Sequence, residues 1–171
     1  LLRQQHVALA RRDLGRELRY AAYVGNAGKV ERLLRQHPEL VNQTFVPSVK
    51  NQSLRKHQTR PGSMNIADEF TMYLWDKFVM QAVRKADPDD QFQEIENEML
   101  SALQIAVLKK RLEVTRVLLD HGADIQQPAW QGYQVTIFAA NSGPEMMQLI
   151  LAHGGQVNMT NAYGHTPLHV A

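Results

Sequence analysis

Histidine has the widest chemical repertoire of any residue in this chain, because it can ligate metals and exchange protons near neutral pH. The sequence contains seven histidines and no cysteine, which excludes a thiol nucleophile and a cysteine-ligated metal site. No His-Glu-x-x-His pair, phosphate-cradling Gly-rich loop or Gly-x-Ser-x-Gly elbow occurs. We therefore predict no catalytic residue, cofactor or metal site, and we expect a structural role for His121 and His153, each of which stands directly before a glycine. The histidines are His6, His37, His57, His121, His153, His165 and His169.

Carboxylates cluster between residues 87 and 98, a stretch without Lys or Arg. Asp87 and Asp89 alternate as calcium ligands would, but the glycine that a calcium loop needs for its sharp turn is missing. Glu94 and Glu98 lie one helical turn apart and offer a carboxylate pair for acid–base work. A helix cap and a solvated helix face account for these residues without any chemistry.

The basic residues between positions 43 and 65 raise the alternative of nucleic-acid binding. They are Lys50, Arg55, Lys56 and Arg60, and no aromatic residue stands between them to stack on bases. The chain as a whole carries 19 basic and 17 acidic residues, a net charge of only +2. This balance does not identify a nucleic-acid binder, and we predict no nucleic-acid partner.

The elements that position these residues follow a repeat. Ala106, Ala139 and Ala171 are spaced by 33 and 32 residues, and Gly122 and Gly154 by 32. Each period pairs small alanines with a later apolar pair, as in Leu118-Leu119. Because one such unit cannot bury its own apolar face, the units must stack on one another.

The segment from Thr166 to Ala171 reads Thr-Pro-Leu-His-Val-Ala, and it resembles the signature of the ankyrin repeat. The resemblance covers residues 14–43 and 99–171. It implies an all-α solenoid of helix-turn-helix units with hairpin-like connecting loops. Three departures stand out: Lys110 lies where the family prefers glycine, Thr136 replaces a core leucine, and Gln134-Val135 replaces Thr-Pro.

The repeat predicts a single ankyrin-repeat domain over residues 1–171. Its parts are a capping helix at 1–14, repeats at 15–43, 99–127 and 128–158, and a truncated repeat at 159–171. Residues 44–98 are an insertion or a degenerate repeat, and the sequence leaves both open. Because Leu168 and Val170 are core-type residues without a following helix, we expect the protein to continue beyond Ala171.

The insertion contains an apolar segment at 66–85, which we predict to be helical. It packs on the solenoid or exposes aromatic residues, among them Trp75, to a partner. No run of 18 apolar residues occurs anywhere in the chain, so the sequence predicts no membrane span.

The resemblance implies a protein-interaction scaffold that binds a partner protein through hairpin tips and a concave groove. Aromatic residues at the tips are typical of interface hot spots. Residues on the groove side have mixed character and predict no charge preference. The candidate contacts are Trp130, Gln131, Tyr133, Met159 and Tyr163 on the tips, Leu108, Lys109, Arg111 and Asn141 in the groove, and Trp75 in the insertion.

The alternative is the recognition portion of a larger enzyme, with chemistry in the insertion or beyond residue 171. With its divergent repeats and large insertion, the sequence is also similar to ankyrin-type effectors that intracellular bacteria deliver into host cells. We expect a cytoplasmic location, which for an effector is the host cytosol. We expect no small-molecule substrate and no cofactor.

Overall fold

A computed structural model describes residues 2–44, 100–129, 132–162 and 164–171, with side chains from residue 13 onward. These residues form helices and connecting turns, and no strand occurs among them. A short 3-10 helix, Pro38–Leu40, follows the second α-helix. The α-helices are α1 (Leu2–Val24), α2 (Ala27–Gln36), α3 (Ala102–Leu108), α4 (Leu112–Asp120), α5 (Val135–Ala140), α6 (Pro144–Ala152) and α7 (Pro167–Val170).

The helices stack in two rows. The inner row runs α1, α3, α5, α7, and each of these helices packs against the next. The outer row runs α2, α4, α6, and each outer helix also packs against the inner helix of its own repeat. This is the all-α arrangement of helix-turn-helix units that the repeat predicts.

Small residues let the inner helices approach one another closely. Ala21, Ala106 and Ala139 occupy the same position in successive repeats, and all three are buried. The outer helices contribute the apolar pairs predicted from the sequence. Leu34, Leu118 and Ile150 are buried, but Leu151, the second member of its pair, leaves 39% of its surface exposed. Burying apolar surface in this way is the main favourable term that holds the stack together.

Helix α1 continues without a break across the predicted boundary between residues 14 and 15. It packs directly on α3, and α2 packs on α4, so the repeats at 15–43 and 99–127 are neighbours in the stack. The predicted domain boundaries otherwise remain a prediction. Trp75 and the rest of the segment 45–99 lie outside the described residues.

The turn between the two helices of each repeat needs a left-handed residue. Gly25 and Gly143 fill this position with φ of 87° and 106°. Lys110 fills it in the repeat between them with φ of 58°, and it is the one described non-glycine residue with a positive φ. A side chain in this conformation brings its Cβ close to the backbone, at a cost of roughly 1–2 kcal/mol.

We expect the change Lys110→Gly to raise the free energy of unfolding by about 1 kcal/mol, because it relieves this strain. Chemical denaturation followed by circular dichroism measures the effect. The control is Lys110→Ala, which removes the same charge but keeps a Cβ and leaves the strain in place. Equal stability of the two variants would contradict the explanation.

The repeat at 128–158 lacks the helix cap that its neighbours have. In α3 the side chains of Ser101 and Gln104 each accept a hydrogen bond from the other's backbone N–H, and Thr166 and His169 form the same capping box in α7. In α5 the equivalent residue Gln134 makes no such bond. The Thr136 hydroxyl is buried with no hydrogen-bond partner among the described residues, so both sequence departures weaken this repeat.

Candidate functional site

Two hairpin-like tips connect the repeats, and both use the same hydrogen bonds. In the first, Ala129 N–H donates to the Tyr133 carbonyl over 2.7 Å, and Gly132 N–H donates back to Ala129. In the second, Asn161 N–H donates to His165 over 3.0 Å, and Gly164 N–H donates back to Asn161. The described residues of the two tips therefore form the same pair of backbone hydrogen bonds, one repeat apart.

Two of the five predicted tip contacts, Tyr133 and Met159, fall within the described residues. Tyr133 is half-buried, and its ring stacks on Phe138 of α5 with centroids 5.8 Å apart and planes 15° apart. Met159 is also half-buried. The other predicted tip residues, Trp130, Gln131 and Tyr163, lie outside the described residues.

The stack on Phe138 connects the first tip to the inner row. A tyrosine held by an aromatic neighbour keeps one ring orientation, so it loses little side-chain entropy when a partner binds. The arrangement therefore holds the Tyr133 ring in place where the tip meets the inner helices.

The carboxyl ends of the inner helices carry the predicted groove residues. Leu108 is half-buried at the end of α3, and Asn141 is exposed just after α5. Beside them, the Ser142 hydroxyl lies 2.8 Å from the carbonyl oxygens of both Val107 and Phe138, so it bridges α3 and α5. The structure thus brings Leu108 and Asn141 to equivalent ends of neighbouring inner helices.

Lys109 and Arg111 both contact Tyr23, a residue that the sequence did not single out. The Lys109 Nζ atom lies 4.6 Å from the centroid of the Tyr23 ring, which is a cation–π distance. The Arg111 Nε–H donates to the Tyr23 carbonyl over 3.2 Å. Burial, and then the nearby guanidinium of Arg111, lower the pKa of Lys109 below its usual value.

Sequence reasoning also missed the hydrogen bonds that join one repeat to the next. The Asn42 Oδ1 atom accepts from Asp124 N–H over 2.7 Å, and its Nδ2–H donates to the Gly122 carbonyl over 3.4 Å. One repeat later, the Gln126 side chain donates to the Gly154 carbonyl over 3.2 Å. The available signal was their shared position, because Asn42 and Gln126 are each the next-to-last residue of their repeat.

The two repeated histidines have the structural role predicted for them. The Nδ1 atom of His121 lies 2.8 Å from the Val117 carbonyl oxygen, and that of His153 lies 2.9 Å from the Leu149 oxygen. Because a carbonyl oxygen only accepts, the imidazole proton is on Nδ1 in both rings. Each ring thereby binds a carbonyl in the last turn of an outer helix, and the Val117 carbonyl also accepts the backbone N–H of His121.

The described ranges contain no group of three His, Asp or Glu side chains that could hold a metal ion. Within the same ranges, no helix has the length and apolar character needed to cross a bilayer.

The family model for the ankyrin repeat matches residues 100–129, which contain α3, α4 and the start of the first tip. A search of curated proteins finds no match to the chain.

Proposed function

Because the chain belongs to the ankyrin-repeat family, we propose that it binds a partner protein through its hairpin-like tips and the adjoining groove, without catalysis. Ankyrin repeats are protein-interaction modules, and stacked units of this kind offer an extended concave surface. The single observation that carries the proposal is the ordered row of inner helices with two tips of the same geometry.

The proposed contacts within the described residues lie along this row. Tyr133 and Met159 belong to the tips, and Leu108 and Asn141 belong to the ends of inner helices. Lys109 and Arg111 add two positive charges to this proposed surface. The proposed contacts also include, on the strength of the sequence alone, Trp130, Gln131, Tyr163 and Trp75.

The rigidity of the surface supports binding without a large rearrangement. Tyr133 stacks on Phe138, Ser142 bridges two helices, and Arg111 bonds to Tyr23. Groups that are already held in place lose less conformational entropy on association, so more of the contact energy appears as affinity.

The proposal is tested by capturing proteins from cell lysate with the chain and quantifying them by mass spectrometry. Two variants probe the surface: Asn141→Arg in the groove, and the double change Trp130→Ala, Tyr163→Ala on the tips. We expect the affinity of the captured partner to fall about tenfold in each, because a bulky charge or the loss of an aromatic anchor removes a central contact.

The matched control is Gln148→Arg, which places the same charge on the exposed side of α6 in the same repeat. We expect it to retain partner binding within about twofold. Failure to capture any specific protein, or an equal loss in the control, would contradict the proposed function.

A further inference from the structure

Three consecutive cations form the turn between α3 and α4. We name this set, Lys109, Lys110 and Arg111, the basic turn. The equivalent turns of the neighbouring repeats are Val24–Asn26 and Ser142–Pro144, and neither contains a charged residue. The basic turn is therefore a local feature of one repeat and is not required by the helix-turn-helix unit itself.

The middle residue of the basic turn is held in a conformation that favours glycine. Lys110 has a φ of 58°, and glycine stands at the same position in both neighbouring turns. Unfavourable backbone conformations that persist on a surface are concentrated at functional positions. The exposed ammonium of Lys110 thus occupies a position where stability alone would select glycine.

The other two cations are held against α1. The Lys109 Nζ atom lies over the Tyr23 ring, and the Arg111 Nε–H donates to the Tyr23 carbonyl. Long basic side chains lose substantial entropy on binding unless they are already restrained. Partial burial has also removed water from the Lys109 ammonium and lowered its pKa, so less desolvation remains when an anion approaches.

Two charges of the basic turn, those of Lys110 and Arg111, are not neutralised within the described residues. Lys110 and Arg111 form no ion pair there, and the described ion pairs lie elsewhere, such as Lys29–Glu17. The acid nearest in sequence, Glu113, does not pair with them. Val24, which follows Tyr23 in the chain, leaves 41% of its surface exposed and so offers an apolar surface to a partner.

We propose that the basic turn binds an acidic segment of the partner protein, with carboxylates on Lys110 and Arg111 and an apolar side chain on Val24. The proposal rests on the proposed function, since it names the chemistry of the partner. Arg111 is suited to this role because its two Nη groups remain available for a carboxylate while Nε binds Tyr23.

The test is fluorescence anisotropy with a labelled twelve-residue probe peptide, about half of it Asp and Glu with two leucines. The tested variant is the double change Lys110→Gln, Arg111→Gln. Glutamine keeps a long side chain at the left-handed position, so the backbone strain is unchanged. We expect about tenfold weaker binding of the peptide by this variant, because two charge-assisted contacts are lost.

The matched control is Arg32→Gln, Arg116→Gln, which removes the same charge from exposed residues of α2 and α4. We expect it to change the affinity less than about twofold, apart from a small loss of long-range attraction. A second peptide, with every Asp and Glu replaced by Asn and Gln, is expected not to bind. Equal weakening in the control, or equal binding of the amide peptide, would overturn the proposal.

A nucleic acid is the other kind of anionic partner, and a single-stranded oligonucleotide of the same length tests it. If it binds more tightly than the acidic peptide and depends on the basic turn, the proposal is overturned in favour of a nucleic acid. The lysate capture separates this result from the proposed function. If Asn141→Arg loses the partner but the basic-turn variant keeps it, the proposed function stands and the acidic segment is excluded.

Discussion

Truncating Leu103 to alanine is expected to lower the free energy of unfolding by about 3 kcal/mol. Leu103 is only 1% exposed, in a helix that packs against α1 on one side and α5 on the other. Neither neighbour can collapse into the space without losing its own contacts, so the variant keeps a cavity. Urea unfolding followed by far-ultraviolet circular dichroism measures the change.

The chain provides a matched control for this variant. Leu168 has the same position in its repeat, three residues into Thr-Pro-Leu-His, but it is 84% exposed. We expect Leu168→Ala to change the stability by less than about 0.5 kcal/mol, because no packed cavity is formed. Similar losses at the two leucines would show that burial in the stack does not determine the effect.

The second large effect is expected at Asn42. Alanine at this position removes the bond from Asp124 N–H and the bond to the Gly122 carbonyl, and we expect a loss of about 2 kcal/mol. Both bonds cross from the first repeat to the next one. The same urea titration measures the loss, and it is also expected to show a broader transition as the first repeat separates from the stack.

Asn141→Ala is the control for this prediction, because Asn141 is exposed and its side chain makes no hydrogen bond with another described residue. It is expected to leave the midpoint within experimental error. Equal losses of stability at Asn42 and Asn141 would contradict this account.

The repeat period predicts much of the fold. The recurring alanines and leucine pairs identify the inner and outer helices, since their spacing matches one buried face per helix. Thr166 and His169 identify a helix start, and the structure has a capping box there. Lys110 stands where the family prefers glycine, and the structure gives this position the positive φ that favours glycine.

Other features depend on distances that a sequence does not contain. Asn42 bonds to residues 80 and 82 positions away, and such pairing follows from which repeats are neighbours in the stack. The sequence left that choice open, because residues 44–98 fitted an insertion or a hidden repeat. The contact of Lys109 with Tyr23 has the same origin, since it joins the turn of one repeat to the inner helix of another.

The groove also combines residues that the sequence predicts with contacts that only the fold determines. Its members were predicted one residue at a time from the family resemblance, and their mixed types predicted no charge preference. The structure adds that two of the basic residues share one support on α1. Because Tyr23 holds both Lys109 and Arg111, the two cations lie in one charged patch, which neither residue predicts by itself.

The direct packing of α1 on α3 also bears on the order of folding. Helices α4 and α5 are separated by the 14 residues between Asp120 and Val135, but α2 and α3 are separated by the 65 residues between Gln36 and Ala102. Contacts between distant parts of a chain form more slowly than local contacts. We therefore expect the repeats after residue 99 to nucleate folding, with the amino-terminal repeat joining last as a distinct kinetic step.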